Sequence, residues 1–188
     1  MANFDASRGF ELHGSIGSAP LGSLRRMKKE ASVILAPGDA VVLAGSGDSI
    51  EGKPTIDRAA AAGAISGVVC GIELNTSDLT KKHMAAADTG WVLVMEDPNA
   101  LYIIQEDSVG NNLALTDIGS FVDIIVANAN TTLGVSQMMI DSSTAASAGD
   151  TGAQLRVEGL APGSEVGANA KWVVSINKGL RDPVGTEV

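Results

Sequence analysis

The sequence predicts an all-β fold, either a β-barrel or a β-sandwich of short antiparallel strands with little helix. From residue 32 onwards, short apolar runs alternate with turn residues, which is the pattern of consecutive strands. Proline–glycine and aspartate–proline pairs and many of the 22 glycines stand between these runs, and such residues favour turns. The length of 188 residues is enough for one domain with a substantial core.

Residues 1–31 differ from the rest of the chain and are predicted to form an extended N-terminal arm. They contain scattered glycine and serine, two of the three phenylalanines and no sustained apolar period. A short helix over residues 25–30 is an alternative, because apolar residues recur around it at helical spacing. The β-rich domain is then predicted to comprise residues 32–188.

Nine or more strands are predicted in that domain, each of ordinary strand length. One other stretch, residues 78–87, is a helix candidate because an aspartate precedes an alanine-rich sequence, although a loop over the barrel fits it equally well. Residues 116–119 are predicted to form a single turn. The apolar runs cover residues 33–35, 40–44, 64–72, 91–95, 101–105, 121–127, 137–140, 154–160 and 172–176, and residues 53–56 and the alanines at 59–62 lie between the second and the third of them.

The clearest hairpin is predicted over residues 91–105. Two apolar runs, 91–95 and 101–105, flank Asp97 and Pro98, which have the chemistry of a type I turn. Both faces of these strands are apolar, so each strand is predicted to be buried on both sides. One side then faces the interior of the barrel or sandwich, and the other faces a covering loop or a subunit interface.

Composition argues against several classes of protein. Cys70 is the single cysteine, so neither an internal disulfide nor a cysteine–histidine zinc site is expected. The apolar runs are far shorter than the roughly 18–20 residues that cross a bilayer, and residues 1–10 do not resemble a secretory leader. The net charge of −9 argues against nucleic acid as a partner. We therefore expect no membrane or nucleic-acid partner, and no metal or cofactor.

Candidate catalytic groups are scattered along the chain. His13 and His83 have no second ligand at helical or strand spacing, and Cys70 lies in an apolar run where a thiol stays protonated. The carboxylate pairs at 96–97 and 106–107 are interpreted as solvated turn residues, because neighbours in a strand point to opposite faces. The sequence therefore predicts a protein that is not an enzyme.

The N-terminal arm carries the features that predict contact with a partner. Residues 1–30 hold five basic and three acidic residues, a net charge of +2, which leaves −11 for the remainder. Two phenylalanines in a polar terminus are unfavourable unless they dock into pockets, either on their own chain or on a neighbour. The predicted partner-binding residues are Phe4, Arg8, Phe10, Arg25, Arg26, Lys28 and Lys29.

Several stretches of the sequence resemble the head decoration, or capsid cement, proteins of tailed bacteriophages. The likeness extends over most of the chain and is weakest between residues 13 and 29. None of the matching stretches is a chemical motif, so the likeness lies in the pattern and identifies no mechanism. The stretches are MANFDASRGF at 1–10, PGDAVVLAG at 37–45, AGAISGVV at 62–69, EDP at 96–98, IIQED at 103–107, LRVEGL at 155–160 and NAKWVV at 169–174.

The resemblance implies a structural virion protein on the outer surface of an icosahedral capsid, assembled in the bacterial host cytoplasm. Its partners are then the major capsid protein and further copies of itself, as a homotrimer or alternatively a homodimer. An oligomer on a symmetry axis makes several modest contacts at once, so that avidity strengthens its binding. Such a protein bridges adjacent capsomers and reinforces the shell. Deleting residues 1–30 is expected to abolish capsid binding and to leave a soluble oligomer.

Two other functions compete with this one. A phage tail or baseplate component has the same β-rich, oligomeric character and would be found in few copies on the tail. A small carbohydrate-binding or enzymatic β domain requires an exposed aromatic platform or clustered carboxylates, and the chain has only six aromatic residues. We therefore expect a capsid protein first and a tail component second.

Overall fold

The computed structural model describes residues 3–16, 22, 24–30, 32–73, 78–146 and 152–177. These residues form eleven strands and one turn of 3-10 helix, η1, at Leu115–Asp117. The predicted all-β fold is confirmed. The strands are β1 (Glu11–Ser15), β2 (Arg25–Lys29), β3 (Ala40–Gly47), β4 (Pro54–Arg58), β5 (Gly67–Ile72), β6 (Trp91–Met95), β7 (Ala100–Gln105), β8 (Phe121–Ile125), β9 (Met139–Ala146), β10 (Leu155–Leu160) and β11 (Lys171–Ile176).

Five strands form a closed barrel in the order β2-β4-β3-β5-β6. Strand β2 closes it, because β2 pairs with β6 on one side and with β4 on the other. The β2–β4 pair is parallel, whereas the other barrel pairs are antiparallel. The β2–β4 pair departs from the antiparallel pairing that is predicted for the strands.

The other six strands form one antiparallel sheet in the order β1-β7-β11-β10-β8-β9. This sheet curls, since Ile140 in β9 bridges to Glu106, the residue that follows β7. Glu106 thereby connects two strands that are separated by several positions in the sheet order. The curled sheet encloses the larger of the two apolar clusters formed by the described residues.

The barrel has its own apolar interior. Alternate residues of β2, β3, β4, β5 and β6 point inwards, as period-two side-chain geometry requires. Leu35 and Met84, which form an isolated bridge between two loops, add their side chains to this cluster. The buried residues of the barrel interior are Met27, Leu35, Val41, Ile56, Val69, Met84, Val92 and Val94.

The outer face of the barrel packs against the six-stranded sheet. Ala40, Val68 and Met95 lie opposite one another on β3, β5 and β6 and join the same buried cluster as Tyr102 and Trp172 of the sheet. This part of the outer barrel face is therefore covered by the same chain, whereas Leu93 of β6 is 38% exposed. The predicted burial on both sides is incomplete for β6 and β7, because Leu101 and Ile103 of β7 are only partly buried.

The predicted hairpin at residues 91–105 is wrong, although its turn is present. The Asn99 amide donates to Asp97 Oδ1 at 2.8 Å and the Ala100 amide donates to the Asp97 carbonyl at 3.1 Å. Strand β6 belongs to the barrel and β7 belongs to the six-stranded sheet, so the two strands do not pair. Turn chemistry redirects the chain locally, whereas the pairing partner of each strand depends on distant strands.

The predicted N-terminal arm is integrated into both sheets where the structure describes it. Strand β1 pairs with β7, and β2 completes the barrel. The alternative of a helix over residues 25–30 is wrong, because Met27 points into the barrel while Arg26 and Lys28 point outwards. The predicted boundary at residue 31, itself outside the described residues, therefore does not separate an arm from a domain.

The stretch at 78–87 is a loop, not a helix. Its Met84 side chain reaches the barrel interior, and its backbone bridges to Leu35. The single turn predicted at 116–119 overlaps η1. Within the described ranges, no helix is long and apolar enough to cross a membrane.

Candidate functional site

The N-terminal segment, residues 3–10, is fixed to the six-stranded sheet by hydrogen bonds on both sides of Phe4. The Asn3 side-chain amide donates to the carbonyls of Glu165 and Ala168 at 2.7 and 3.1 Å, and Asn3 Oδ1 accepts from the Glu165 amide at 3.1 Å. On the other side of Phe4, the Ala6 amide donates to Gln105 Oε1 at 3.1 Å. The backbone around Phe4 is therefore held in place.

Phe4 itself points away from the protein and is 79% exposed. It forms one wall of an open groove of about 340 Å³, which we call the Phe4 groove. The loop 161–170 and the start of β11 form the other walls, with Pro162, Ser164 and Lys171 among the lining residues. Of the seven predicted partner-binding residues, Phe4 is the one that combines an apolar ring with high exposure.

Phe10 is buried within its own chain, at 3% exposure. Its ring meets Tyr102 edge to face, with 5.7 Å between the ring centroids. Gly9, with φ of +67°, allows the segment to approach the turn before β3 so closely that a Cβ there would lie 2.3 Å from the Gly38 carbonyl oxygen. The prediction that Phe10 contacts a partner is corrected, because this side chain belongs to the core.

Arg8 lies on the exposed surface, beside a shallow cleft whose walls include Glu11 and Lys171. Lys171 forms an ion pair with Glu11 at 3.5 Å, and both side chains are more than one-third exposed. A pair of this kind contributes little to stability. Arg8 therefore stays a predicted contact residue at the edge of the N-terminal segment.

Three of the four basic residues of β2 are paired with carboxylates of the same chain. Arg25 contacts Glu96 at 3.1 Å, and Arg26 contacts Glu51 at 2.8 Å. Arg26 also donates two hydrogen bonds to Glu73, each 3.1 Å long. Four acidic groups, Glu51, Glu73, Glu96 and Asp48, thus pair with three basic ones along β2.

Lys28 and Arg26 both lie over the ring of Trp91 on the outer face of β6. The Arg26 guanidinium carbon is 4.0 Å from the ring centroid and the Lys28 ammonium is 5.8 Å away. Lys28 also forms an ion pair with the buried carboxylate of Asp48, and this hydrogen bond lowers the pKa of Asp48. This surface is therefore a cation–π cluster bordered by acidic residues, and it carries no excess of positive charge. Arg25, Arg26 and Lys28 stay predicted contact residues.

Lys29 is buried, and its ammonium is a structural anchor. It donates to three backbone carbonyls, those of Glu30, Ala86 and Asp88, at 2.9 to 3.2 Å. Burial lowers the pKa of Lys29, and the charge of Asp88 opposes that shift. The prediction that Lys29 contacts a partner is corrected, because two of its three hydrogen bonds, to the carbonyls of Ala86 and Asp88, hold the loop 78–90 onto the barrel.

A second groove, of about 470 Å³, lies between that loop and β6. Lys81 and Asp88 form an ion pair on its wall, and His83 Nδ1 is buried without a hydrogen-bond partner. Trp91 and Glu73 complete the polar and aromatic lining. No group of three or more His, Cys, Asp or Glu side chains within the described ranges is placed to hold a metal ion.

The carboxylate pair at 106–107 is structural and buried, which corrects its interpretation as a solvated turn. Glu106 Oε2 accepts from the Leu113 amide at 2.9 Å and from Trp172 Nε1 at 3.3 Å. Asp107 Oδ1 accepts from the Ser142 hydroxyl at 2.7 Å. Burial raises the pKa of Glu106. These two residues connect β7 to β9 and the sheet core, so they are not available for surface chemistry.

Sequence reasoning missed Asn3 and Lys171, which complete the Phe4 groove. Asn3 bonds to a loop 162 residues away in the chain, and no local pattern connects two positions at that separation. The one available signal was Phe4 itself, since a phenylalanine in a polar segment predicts a docking contact.

Comparisons with protein-family models, with curated proteins and with solved structures found no match. The functional argument for this chain therefore rests on its own residues and geometry.

Proposed function

We propose that this protein is a structural virion component that binds the outer surface of an icosahedral phage capsid and stabilises it by bridging adjacent capsomers. The proposal starts from the sequence resemblance to head decoration proteins. The observation that carries it is Phe4, a large apolar side chain held exposed on a backbone that is hydrogen-bonded on both sides. Side chains of this kind are typical anchors of protein–protein interfaces.

The molecule that carries Phe4 suits a reinforcing role. The barrel and the six-stranded sheet share one buried cluster. A mechanical force on the N-terminal segment is therefore transmitted to the core through Phe10, which is buried there, and through Gln105, which bonds to Ala6. Phe4 then contacts either the capsid protein or the adjacent subunit. In both cases, several copies on one symmetry axis bind together more strongly than one copy alone.

The decisive experiment adds the purified protein to shells assembled from the major capsid protein of the same phage. We expect saturable binding at a fixed number of copies per capsomer and a density map with the protein on the outer surface. Bound shells should also resist heat or chemical disruption better than undecorated shells. Absence of saturable binding to these shells would contradict the proposal.

Point variants are a better probe of the contact than a large deletion. Removing residues 1–30 would delete β1, β2 and Phe10, and with them the closure of the barrel and part of the core. Phe4→Ala removes an exposed ring instead, and we expect it to weaken shell binding at least about tenfold. Ile50→Ala, at an 85% exposed apolar residue in the turn between β3 and β4, is the matched control.

A tail or baseplate component is the second candidate, and the location of the protein separates the two. Immunogold labelling or a map of the virion should find many copies on the head. A few copies on the tail would favour the second candidate.

A further inference from the structure

The second groove, between the loop 78–90 and β6, has a fixed loop wall, and we call it the Trp91 groove. Lys29 donates to the carbonyls of Ala86 and Asp88 at 3.2 and 2.9 Å, which holds this wall onto the barrel. Within the wall, the Ala85 amide donates to Asp88 Oδ2 at 2.9 Å. Pre-formed clefts of about 300–1,000 Å³ are typical sites for small molecules. With its volume of about 470 Å³, the groove has the size of such a site.

The ring of Trp91 lines the groove and is held in one orientation. The Arg26 guanidinium carbon lies 4.0 Å from the ring centroid. Arg26 also donates two hydrogen bonds of 3.1 Å to Glu73, which lines the groove as well. A ring that is already fixed offers apolar contact to a ligand with little further loss of side-chain entropy. The C–H groups of a sugar ring pack well against such a ring, because aromatic faces carry a partial negative charge.

The charged side chains that line the groove within the described ranges are already paired. Lys81 forms an ion pair with Asp88 on the loop wall. Glu73 forms an ion pair with Arg26. An ionic ligand has to compete with these partners, whereas a neutral ligand uses the hydrogen-bonding capacity that each pair leaves open. Because the Lys81, Asp88 and Glu73 side chains are 24%, 31% and 50% exposed, this capacity is accessible from the groove.

Both donors and acceptors line the groove. The carboxylates of Glu73 and Asp88 accept hydrogen bonds, and the ammonium of Lys81 donates them. The exposed hydroxyl of Thr89 does both. His83 lies in the same lining, and because its Nδ1 is buried, Nε2 is the ring nitrogen within reach of a ligand. The neighbouring hydroxyl groups of a saccharide, each of which donates and accepts, match this set.

We propose that the Trp91 groove binds a neutral mono- or disaccharide. One sugar ring packs against Trp91, while its hydroxyl groups bond to Glu73, Asp88 and Thr89. This activity is separate from the proposed capsid contact, because the Trp91 groove and the Phe4 groove have no described lining residue in common. The ligand is either a free sugar or part of a longer glycan, which share the same chemistry at this site.

Isothermal titration calorimetry of the purified wild-type chain tests the proposal. The probes are glucose, galactose, mannose, N-acetylglucosamine, maltose, lactose and chitobiose, each added separately. We expect saturable binding of at least one of them with a dissociation constant of about 1 mM or below. The variant Trp172→Phe retains Trp91 as its one tryptophan, and the same saccharide should change its fluorescence with the same dissociation constant.

Two variants test the residues of the groove. Trp91→Ala removes the ring, and we expect it to weaken binding at least about tenfold. Thr89→Val replaces the hydroxyl with a methyl group of similar size and should weaken binding about fivefold. Thr116→Val is the matched control, at an exposed threonine of η1 outside the groove, and should bind as the wild type does. Circular dichroism of each variant confirms that the fold is retained.

Longer oligosaccharides of the sugar that binds distinguish the two sources of the ligand. A dissociation constant that falls with chain length identifies a glycan, and one that does not change identifies a free sugar. Both results agree with the proposal.

Three results would overturn the proposal: no binding of any of these saccharides to the wild-type chain, binding of inorganic phosphate or adenosine in their place, or unchanged binding in both Trp91→Ala and Thr89→Val. Its failure is distinct from failure of the proposed function. A protein that decorates shells but binds no saccharide contradicts only this inference. A protein that binds a saccharide but no shell contradicts only the proposed function.

Discussion

Phe4 and Phe10 lie on one short segment and have opposite environments, 79% and 3% exposed. The difference arises from what their neighbours contact. Gly9 crosses close to Gly38 and directs Phe10 into the core beside Tyr102, whereas Asn3 and Ala6 hold the backbone flat on the sheet and leave Phe4 outside. Lys29 and Glu106 show the same principle for charged groups, because their hydrogen-bond partners determine whether they are structural.

Asp39 is the residue whose ionisation should be most visible in the stability of the protein. Its carboxyl is buried in the turn before β3 and accepts from the Ala36 amide at 2.8 Å. Burial raises the pKa of Asp39 from 3.8 to about 6. Because the pKa is raised in the folded state, the contribution of this carboxyl to the free energy of unfolding is fully present below pH 4 and is lost as the pH rises through 6.

We therefore expect Asp39→Asn to be more stable than the wild type at pH 8, by about 1–3 kcal/mol, and to lose this advantage near pH 4. Urea unfolding at several pH values measures the difference. Asp97→Asn is the control of opposite sign, because hydrogen bonds from the Asn99 and Gly22 amides lower the pKa of Asp97. The loss in the free energy of unfolding caused by Asp97→Asn should be largest at neutral pH and should become smaller in acid. If the difference in the free energy of unfolding between Asp39→Asn and the wild type were the same at every pH, the raised pKa of Asp39 would be contradicted.

At the scale of elements, the N-terminal segment is part of the fold because of one close crossing. Gly9 and Gly38 both have positive φ, and the Phe10 amide donates to the Gly38 carbonyl at 2.9 Å. This crossing brings the segment against β3 and the core. Strand β1 then continues along β7, with an irregularity between Leu12 and Gly14 that offsets the register.

The substitution Gly9→Ala tests this crossing. Its Cβ would lie 2.3 Å from the Gly38 carbonyl oxygen and 2.4 Å from Ser136 Cβ, in a backbone conformation that disfavours alanine. We expect a loss of about 2–4 kcal/mol in the free energy of unfolding, with faster amide exchange over residues 8–16. Gly14→Ala is the matched control, since no atom lies within 4 Å of its Cβ position. Equal stability of the two variants would show that the crossing is not required.

At the scale of the whole molecule, the barrel and the six-stranded sheet share a buried cluster. Val69 points into the barrel while its neighbour Val68 packs against the sheet, so strand β5 belongs to both cores. Neither sheet can separate from the other without exposing the outer face of the barrel. We therefore expect the two sheets to unfold together.

The two tryptophans provide a direct test of this coupling. Trp91 is on the barrel and Trp172 is in the core of the sheet, so Trp172→Phe and Trp91→Phe leave one fluorescent reporter in each. In each variant, we expect the unfolding midpoint measured by fluorescence to equal the midpoint measured by circular dichroism on the same variant. A fluorescence transition that precedes the backbone transition in one variant would show that the sheets unfold separately.

Local chemistry in the sequence predicted a large part of this architecture. The all-β class, the positions of most strands from β3 onwards and the turn at Asp97 follow from short-range patterns. Such patterns act through the backbone of a few neighbouring residues, and these interactions are the same whichever strands later come together. Phe4 and Phe10 were both predicted as contact residues, because large apolar residues are unusual in a polar segment. The sequence did not distinguish the exposed ring from the buried one.

Only the tertiary structure decided which strands pair and which side chains stay outside. The parallel β2–β4 contact, the separation of β6 from β7 and the burial of Phe10 and Lys29 depend on residues far apart in the chain. The basic stretch of β2 looked free in the sequence, yet its partners Glu51, Glu73 and Glu96 reach it only in the folded barrel. The physical reason is that closure of a barrel satisfies backbone hydrogen bonds and buries side chains cooperatively, and local sequence does not encode the distances between those groups.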